Sequence, residues 1–246
     1  MDMKVFFEIH GDNHREGPGD RASTLRALSY IRGLPENPSV LDVGSGPGAQ
    51  TIDLAGALPG TVTALDNHQP FLDEIEKRAR RAGIFSRVKT VNGTMTDMPF
   101  LPDSFDLIWS EGAVYQMGLE SGLLSWKKYL KPGGFMALSH IVWLRRDPPP
   151  ECLEFWKEHY PEITTIENNL MVIAKCGYEL KGHFTLPQSA WLDSYYASIE
   201  NKLGFFEEKY QNDPGAMETI AAERQEIAFY RRYSAYYGYE FFIIRK

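Results

Sequence analysis

Leu41-Asp42-Val43-Gly44-Ser45-Gly46-Pro47-Gly48-Ala49-Gln50-Thr51 brings three glycines and a carboxylate into one turn. The apolar run Val40–Val43 predicts a buried strand entering this turn, with a helix opening after it. Gly44, Gly46 and Gly48 keep side chains off the backbone, so a cofactor can lie against its N–H groups. Asp42 stands at the strand end, beside the turn. A fixed negative charge there opposes the pyrophosphate of a dinucleotide but tolerates a cofactor with a sulfonium and an ammonium group. The turn therefore points to S-adenosylmethionine rather than NAD, although Gly44-x-Gly46-x-x-Ala49 also satisfies the loose dinucleotide pattern. Some 20 positions beyond the glycines an acidic residue that ends the next strand accepts hydrogen bonds from ribose hydroxyls. Asp66 holds that place, and its alternative role is to cap the helix starting near Pro70.

The elements that position these residues follow from the periodicity. Strands are predicted at Val40–Val43, Thr61–Leu65, Val88–Val91, Phe105–Ser110 and Phe135–Val142. Helices fall at 49–57, at Phe71–Ala82 with Gly83 as its cap, and after Tyr115 to about Leu130, ahead of the turn Lys131-Pro132-Gly133-Gly134. The alternation specifies a parallel sheet with helices on both faces, and right-handed crossovers put the strand-to-helix loops on one edge, where ligands bind. Beyond Pro148-Pro149-Pro150 a short helix carries Phe155 and Trp156, a second covers about 166–175, and Tyr178–Leu186 reads as a sixth strand. About 50 aromatic-rich helical residues follow before a last strand, Tyr239–Arg245, expected to pair antiparallel with the sixth at one edge. Ahead of the first strand, two aromatics and the polar loop His10–Asp20 form a candidate lid or a surface arm, with a helix from about Ser23. The expected organisation is one domain, 1–246. Its core is about 34–147, 165–187 and 238–246, and an inserted helical cap comprises about 1–33, 148–164 and 188–237.

A chain of 246 residues with 43% hydrophobic and 24% charged content can bury one sizeable core with a cap. A net charge of −7 argues against a nucleic-acid partner. Two cysteines, Cys152 and Cys176, make neither a disulfide framework nor a metal cluster. The start lacks a long apolar signal region, and no apolar run approaches the roughly 18 residues of a membrane span, so a cytoplasmic location is expected.

Asp42 with Gly44–Gly48, Asp66, Gly93–Phe100, Asp103-Ser104-Phe105-Asp106-Leu107-Ile108 and Leu130-Lys131-Pro132-Gly133-Gly134 resemble the ordered motifs of class I S-adenosylmethionine-dependent methyltransferases, closest to the ubiquinone/menaquinone C-methyltransferase group. The likeness is strong over about 38–142. The arm and cap, through Gly17-Pro18-Gly19, Trp109–Ala113, Phe155-Trp156, Tyr160–Ile163 and Tyr236–Tyr239, resemble a bacterial and archaeal subgroup, a likeness that implies no substrate. The resemblance implies a Rossmann-like, doubly wound, mostly parallel seven-stranded sheet with an antiparallel last strand, using S-adenosyl-L-methionine and releasing S-adenosyl-L-homocysteine. Gly44, Ser45 and Gly46 would line the methionine part, with Asp42 near its ammonium and sulfonium. Asp66 would take the ribose hydroxyls beside Asn67, Phe71 would pack near the adenine, and Met95 would offer its backbone N–H to that ring. The family commonly has aspartate before that last position; Thr94 stands here, with a shorter, neutral acceptor. Ser110 and Glu111 would approach the methionine moiety and the transferred methyl.

A sulfonium leaving group needs no acid, so such an enzyme aligns nucleophile and methyl, excludes water and sometimes removes a proton. Candidates for the base are His140, Glu111, Tyr115, His10 and His14; Glu111 would touch either the cofactor's end or the substrate, and each of the others also has a packing or solvated reading. Trp143, Trp156, Trp191, Tyr195 and Tyr196 would either pack the cap or build an apolar or cation-accepting pocket over the methyl. A small apolar or amine-bearing methyl acceptor is the expected partner. The competing readings are an NAD(P)-dependent oxidoreductase and a non-catalytic S-adenosylmethionine-binding protein.

Overall fold

A computed structural model describes residues 2–246; Met1, the first residue of the expected cap, lies outside them. The strands are β1 (Ser39–Val43), β2 (Thr61–Asp66), β3 (Val88–Asn92), β4 (Phe105–Glu111), β5 (Leu130–Trp143), β6 (Thr164–Thr165), β7 (Glu179–Thr185) and β8 (Tyr237–Arg245). The helices are α1 (Met3–His10), α2 (Arg21–Ser29), α3 (Ala49–Ala57), α4 (Gln69–Arg81), α5 (Leu119–Lys127), α6 (Pro150–His159), α7 (Ile166–Lys175), α8 (Gln188–Trp191), α9 (Ala197–Lys209) and α10 (Pro214–Tyr233). The sheet runs in the order β3-β2-β1-β4-β5-β8-β7, and two-residue β6 extends the end of β5. All pairings are parallel except those of β8, which is antiparallel to both β5 and β7. The last strand thus joins the sheet as expected, but it inserts between β5 and β7 and leaves β7 at the edge.

β8 shows why. Phe241 and Ile243 pack into the hydrophobic cluster on one face, and Phe242 and Ile244 into the cluster on the other. A run apolar at successive positions, as Phe241–Ile244 is, is stable in a strand only when both faces are covered. The cluster on the first face also holds Val5 and Ile9 of α1, Leu203 of α9 and Ile227 of α10, so the cap shares one continuous core with the sheet.

Three local differences have physical causes. α1 forms ahead of the expected loop, where the sequence predicts no element, because the Asp2 side chain accepts the amides of Lys4 and Val5 and the helix buries Val5 and Ile9. β5 begins five residues early. Phe105 pairs with Leu130, the ladder resumes at Leu107 opposite Phe135, and Lys131–Gly134 bulges between them with Gly133 at φ +74°. α5 starts only at Leu119, because residues 114–116 form a 3₁₀ turn and Gly118, at φ +77°, opens the helix.

Candidate methyl-donor and acceptor chambers

The turn after β1 is held by backbone bonds. The amides of Gly44 and Ser45 donate to the Leu65 carbonyl at 2.9 and 3.1 Å, and that of Gly46 to Asp66 Oδ2 at 2.9 Å. Gly44 sits at φ +68°, and a Cβ there would lie 2.5 Å from the Ala113 Cβ. Gly48, at φ +87°, serves a different end: its Cβ would fall 2.3 Å from Ile75 Cγ1, so its absence lets α3 approach α4.

Over this turn lies a cavity of about 490 Å³. Its floor is Gly44–Pro47 and Gln50; Asp66, Asn67, His68 and Phe71 form one side, and Gly93–Thr96 and Glu111–Ala113 with Tyr115 the other. Asp66 spends one lone pair of each oxygen on the fold, Oδ2 on Gly46 and Oδ1 on the His68 amide at 2.9 Å. Phe71 packs edge-on to His68, whose other neighbour is the parallel ring of Phe7, 4.7 Å away. Thr94 and Met95 reach the cavity, and the Met95 carbonyl accepts from Trp126 Nε1 at 3.0 Å.

Other sequence candidates lie elsewhere. Asp42 is fully buried behind the turn and does not line the cavity. It accepts from Thr51 Oγ1 at 2.6 Å and Gln50 Nε2 at 3.4 Å, and Gln50 also donates to the Ser45 carbonyl. Burial raises its carboxyl to about 7 against the hydrogen bond from Thr51. Gly48 and Ser110 do not line the cavity either; the Ser110 hydroxyl donates to the Val43 carbonyl at 3.0 Å. His140 is buried and touches neither cavity. Its Nδ1 has no partner, Tyr160 is 3.5 Å from Nε2, and burial lowers the ring to about 4, so it is neutral. His14 is exposed beside Arg78. Trp143 lies outside both cavities.

Glu111 is placed at the cavity wall but is fully engaged. Oε1 accepts from Thr24 Oγ1 at 2.8 Å and Trp109 Nε1 at 2.9 Å; Oε2 takes Arg15 Nη1 at 2.6 Å. Arg15 also faces Asp53 at 3.6 Å. This ion pair straps the arm across the cavity mouth, so Arg15, Glu16, Gly17 and Pro18 join its wall. Sequence reasoning did not single out Arg15 or Phe7. The polar, glycine-bearing arm was the available signal for the first; nothing local marked the second, because its partner His68 is 61 residues away.

A second cavity of about 330 Å³ lies under the cap and shares Glu16, Gly17, Pro18, Gly112 and Tyr115 with the first. Trp156, Trp191, Tyr195 and Tyr196 line it, the latter two presented by a π-helical turn at Leu192–Tyr196. Beside it, His10 bridges Glu16 at 2.6 Å and Glu223 at 3.2 Å. Burial works against the imidazolium, but the two glutamates overcome it and hold the ring at about 9. A folded-state value above the usual 6.5 makes this stabilisation complete below pH 6.5 and lost as pH rises through 9. About 3 kcal/mol is at stake. Urea midpoints should therefore fall between pH 6.5 and 9, and His10→Gln should flatten that segment; an unchanged slope would refute the bridge.

Residues 40–134 match the methyltransferase domain family. The chain is 27% identical over 161 residues to a sterol 24-C-methyltransferase of Pneumocystis carinii, covering 62% of this chain and 43% of that protein. It is 31% identical over 117 residues to an erythromycin 3''-O-methyltransferase of Saccharopolyspora erythraea, covering 47% and 38%. The chain thus spans about two fifths of the length of these relatives. A Geobacter sulfurreducens SAM-dependent methyltransferase, solved with S-adenosyl-L-homocysteine, superposes with a TM-score of 0.83 over 98% of this chain and 97% of that one, at 21% identity. Residues 40–134 form a methyltransferase domain, set in a chain with the fold of the class I methyltransferases.

Proposed function

We propose that this chain transfers a methyl group from S-adenosylmethionine to a small molecule, the donor lying over the β1 turn and the acceptor under the cap. The observation that carries the reading is that the two cavities lie against each other, sharing Glu16, Gly17, Pro18, Gly112 and Tyr115 as lining. A donor in the first would present its methyl to the second. The residues fit the donor. Asp66 keeps free lone pairs for ribose hydroxyls, and Phe71 and Met95 offer apolar surface for the adenine. Two buried polar atoms, Glu16 Oε1 and Ser45 Oγ, have no hydrogen-bond partner, and Arg15 Nη2 has only the Asp53 carboxylate, at 3.6 Å. A guanidinium suits a carboxylate and a carboxylate suits an ammonium.

Asp42 acts in this reading through the turn, by fixing Gln50 and Thr51. Glu111 already accepts three hydrogen bonds, so it closes the arm rather than taking a proton. Tyr115 stands at the junction, and burial raises its hydroxyl, so it donates to the acceptor at neutral pH. The donor supplies an electrophilic methyl; the protein binds, aligns and excludes water. No helix among the described residues is long and apolar enough to cross a membrane, and two unpaired thiols suit a reducing, cytoplasmic setting.

Calorimetry with S-adenosylmethionine, S-adenosylhomocysteine and NADH tests the reading. Micromolar binding of the first two is expected, with about 2.7 kcal/mol of stabilisation at a hundredfold excess over Kd. Binding of NADH alone would overturn it in favour of an oxidoreductase. Tight donor binding without methyl transfer to any of a broad acceptor panel would favour a binding protein.

A further inference from the structure

We propose that the chamber under the cap takes a small amine that also carries an oxygen acceptor, its ammonium group held by Glu226 among aromatic walls. This rests on the reading of that chamber as the acceptor site. Ten of the residues lining it are phenylalanine, tyrosine or tryptophan, and no lysine or arginine is among them. Its carboxylates are Glu16, Glu223 and Glu226. Glu16 and Glu223 share the positive charge of His10, whereas the hydrogen bond made by Glu226 comes from the neutral Tyr196 hydroxyl at 2.9 Å. His159, the basic side chain at the wall, stacks on Phe155 and turns Nδ1 to the Phe155 carbonyl at 2.8 Å.

Glu226 lines the chamber with an accessible side chain, and desolvation by the surrounding wall, with neighbouring Glu223, raises its carboxyl. It is a carboxylate lacking a counter-ion in a cavity walled by π faces, which favour a cation through their quadrupoles. A second observation points to the same ligand. Trp191 is only 4% exposed and lines the chamber, and its indole N–H has no acceptor; Trp156, on the same wall, likewise leaves its N–H unpartnered. Buried donors without acceptors are costly, so the ligand that completes this site brings an acceptor atom as well as a charge. A purely apolar guest would leave both the carboxylate and the indoles unpaired.

The test is binding, read by calorimetry on the full chain saturated with S-adenosylhomocysteine. The probes are two matched sets: tyramine, tyrosol and 4-hydroxyphenylacetate, and 5-aminopentanol, 1,5-pentanediol and 5-hydroxypentanoate. In at least one set the amine should bind tenfold or more tighter than its alcohol, and the carboxylate should bind weakest. Glu226→Gln, which keeps an oxygen for Tyr196, should abolish the amine's advantage and leave affinity for the alcohol and for S-adenosylhomocysteine unchanged. If in both sets the alcohol or the carboxylate equals the amine, or if Glu226→Gln changes nothing, the inference fails. Failure of S-adenosylhomocysteine itself to bind would instead defeat the methyltransferase reading beneath it.

Discussion

Replacing Arg15 with alanine is expected to cost about 3 kcal/mol of stability, the lower end of what breaking a buried ion pair removes. Arg15 and Glu111 have side chains 5% and 4% exposed and meet at 2.6 Å. The loss would leave Glu111 charged in a dry wall and Asp53 without its inner partner. For a chain of this size the melting temperature should drop by roughly 10 °C. Arg15→Lys keeps a charge but not the fork that reaches both carboxylates, so it should recover only part of the loss. The geometry also supplies a rescue. Both neutral donors to Glu111, from Thr24 and Trp109, fall on Oε1, while Arg15 meets Oε2. Glu111→Gln can keep Oε1 as the acceptor and put its amide where the guanidinium was. In an Arg15→Ala background it should therefore restore stability, whereas alone it should be destabilising. Urea unfolding of the four proteins gives the coupling directly. A loss below about 0.5 kcal/mol for Arg15→Ala, the scale of ordinary surface substitutions, would show that the strap does not hold the arm.

What was legible in the sequence divides by range. The sheet was legible because β1, β2, β4 and β8 are short apolar runs bounded by turns, and strand period and burial leave few alternatives. The cavity over the β1 turn was legible because that turn, the β2 end and the Gly93–Thr96 segment each carry their chemistry within a few residues, and the parallel topology brings those ends to one edge. Asp42 shows the limit of local reasoning. Its charge type was read from the turn, but its direction was not: Gln50 and Thr51, eight and nine residues on in the first turn of α3, draw the side chain inward away from the cavity. His140 shows the same limit, since a residue at a strand end faces either loop edge or core, and Tyr160 and the surrounding apolar wall decide for the core. The arm and the cavity under the cap were the least legible. Arg15 finds Glu111 across 96 residues and His10 finds Glu223 across 213, and no periodicity records such pairs.

Asp66→Ala should weaken S-adenosylhomocysteine binding by at least tenfold while lowering stability by only about 1 kcal/mol, the worth of ordinary hydrogen bonds in a half-buried site. Two losses add in the affinity. The carboxylate's remaining lone pairs face the cavity, where charge-assisted bonds to ribose hydroxyls are each worth roughly 1.5–3 kcal/mol. The amides of Gly46 and His68 lose the acceptors that hold the glycine turn and the start of α4 in place. Asp66→Asn separates the two. Its single carbonyl oxygen can satisfy one amide while its own N–H group confronts the other, so the scaffold is half kept and the charge is gone. If the ribose bonds dominate, Asp66→Asn should bind nearly as poorly as Asp66→Ala; if the turn dominates, it should fall midway. His68 sits between the rings of Phe7 and Phe71, so quenching or ring-current shifts at Phe7 report whether α1 follows when His68 is released. An affinity within twofold of the unaltered protein in Asp66→Ala would remove the ribose assignment, and with it the placement of the donor over the β1 turn.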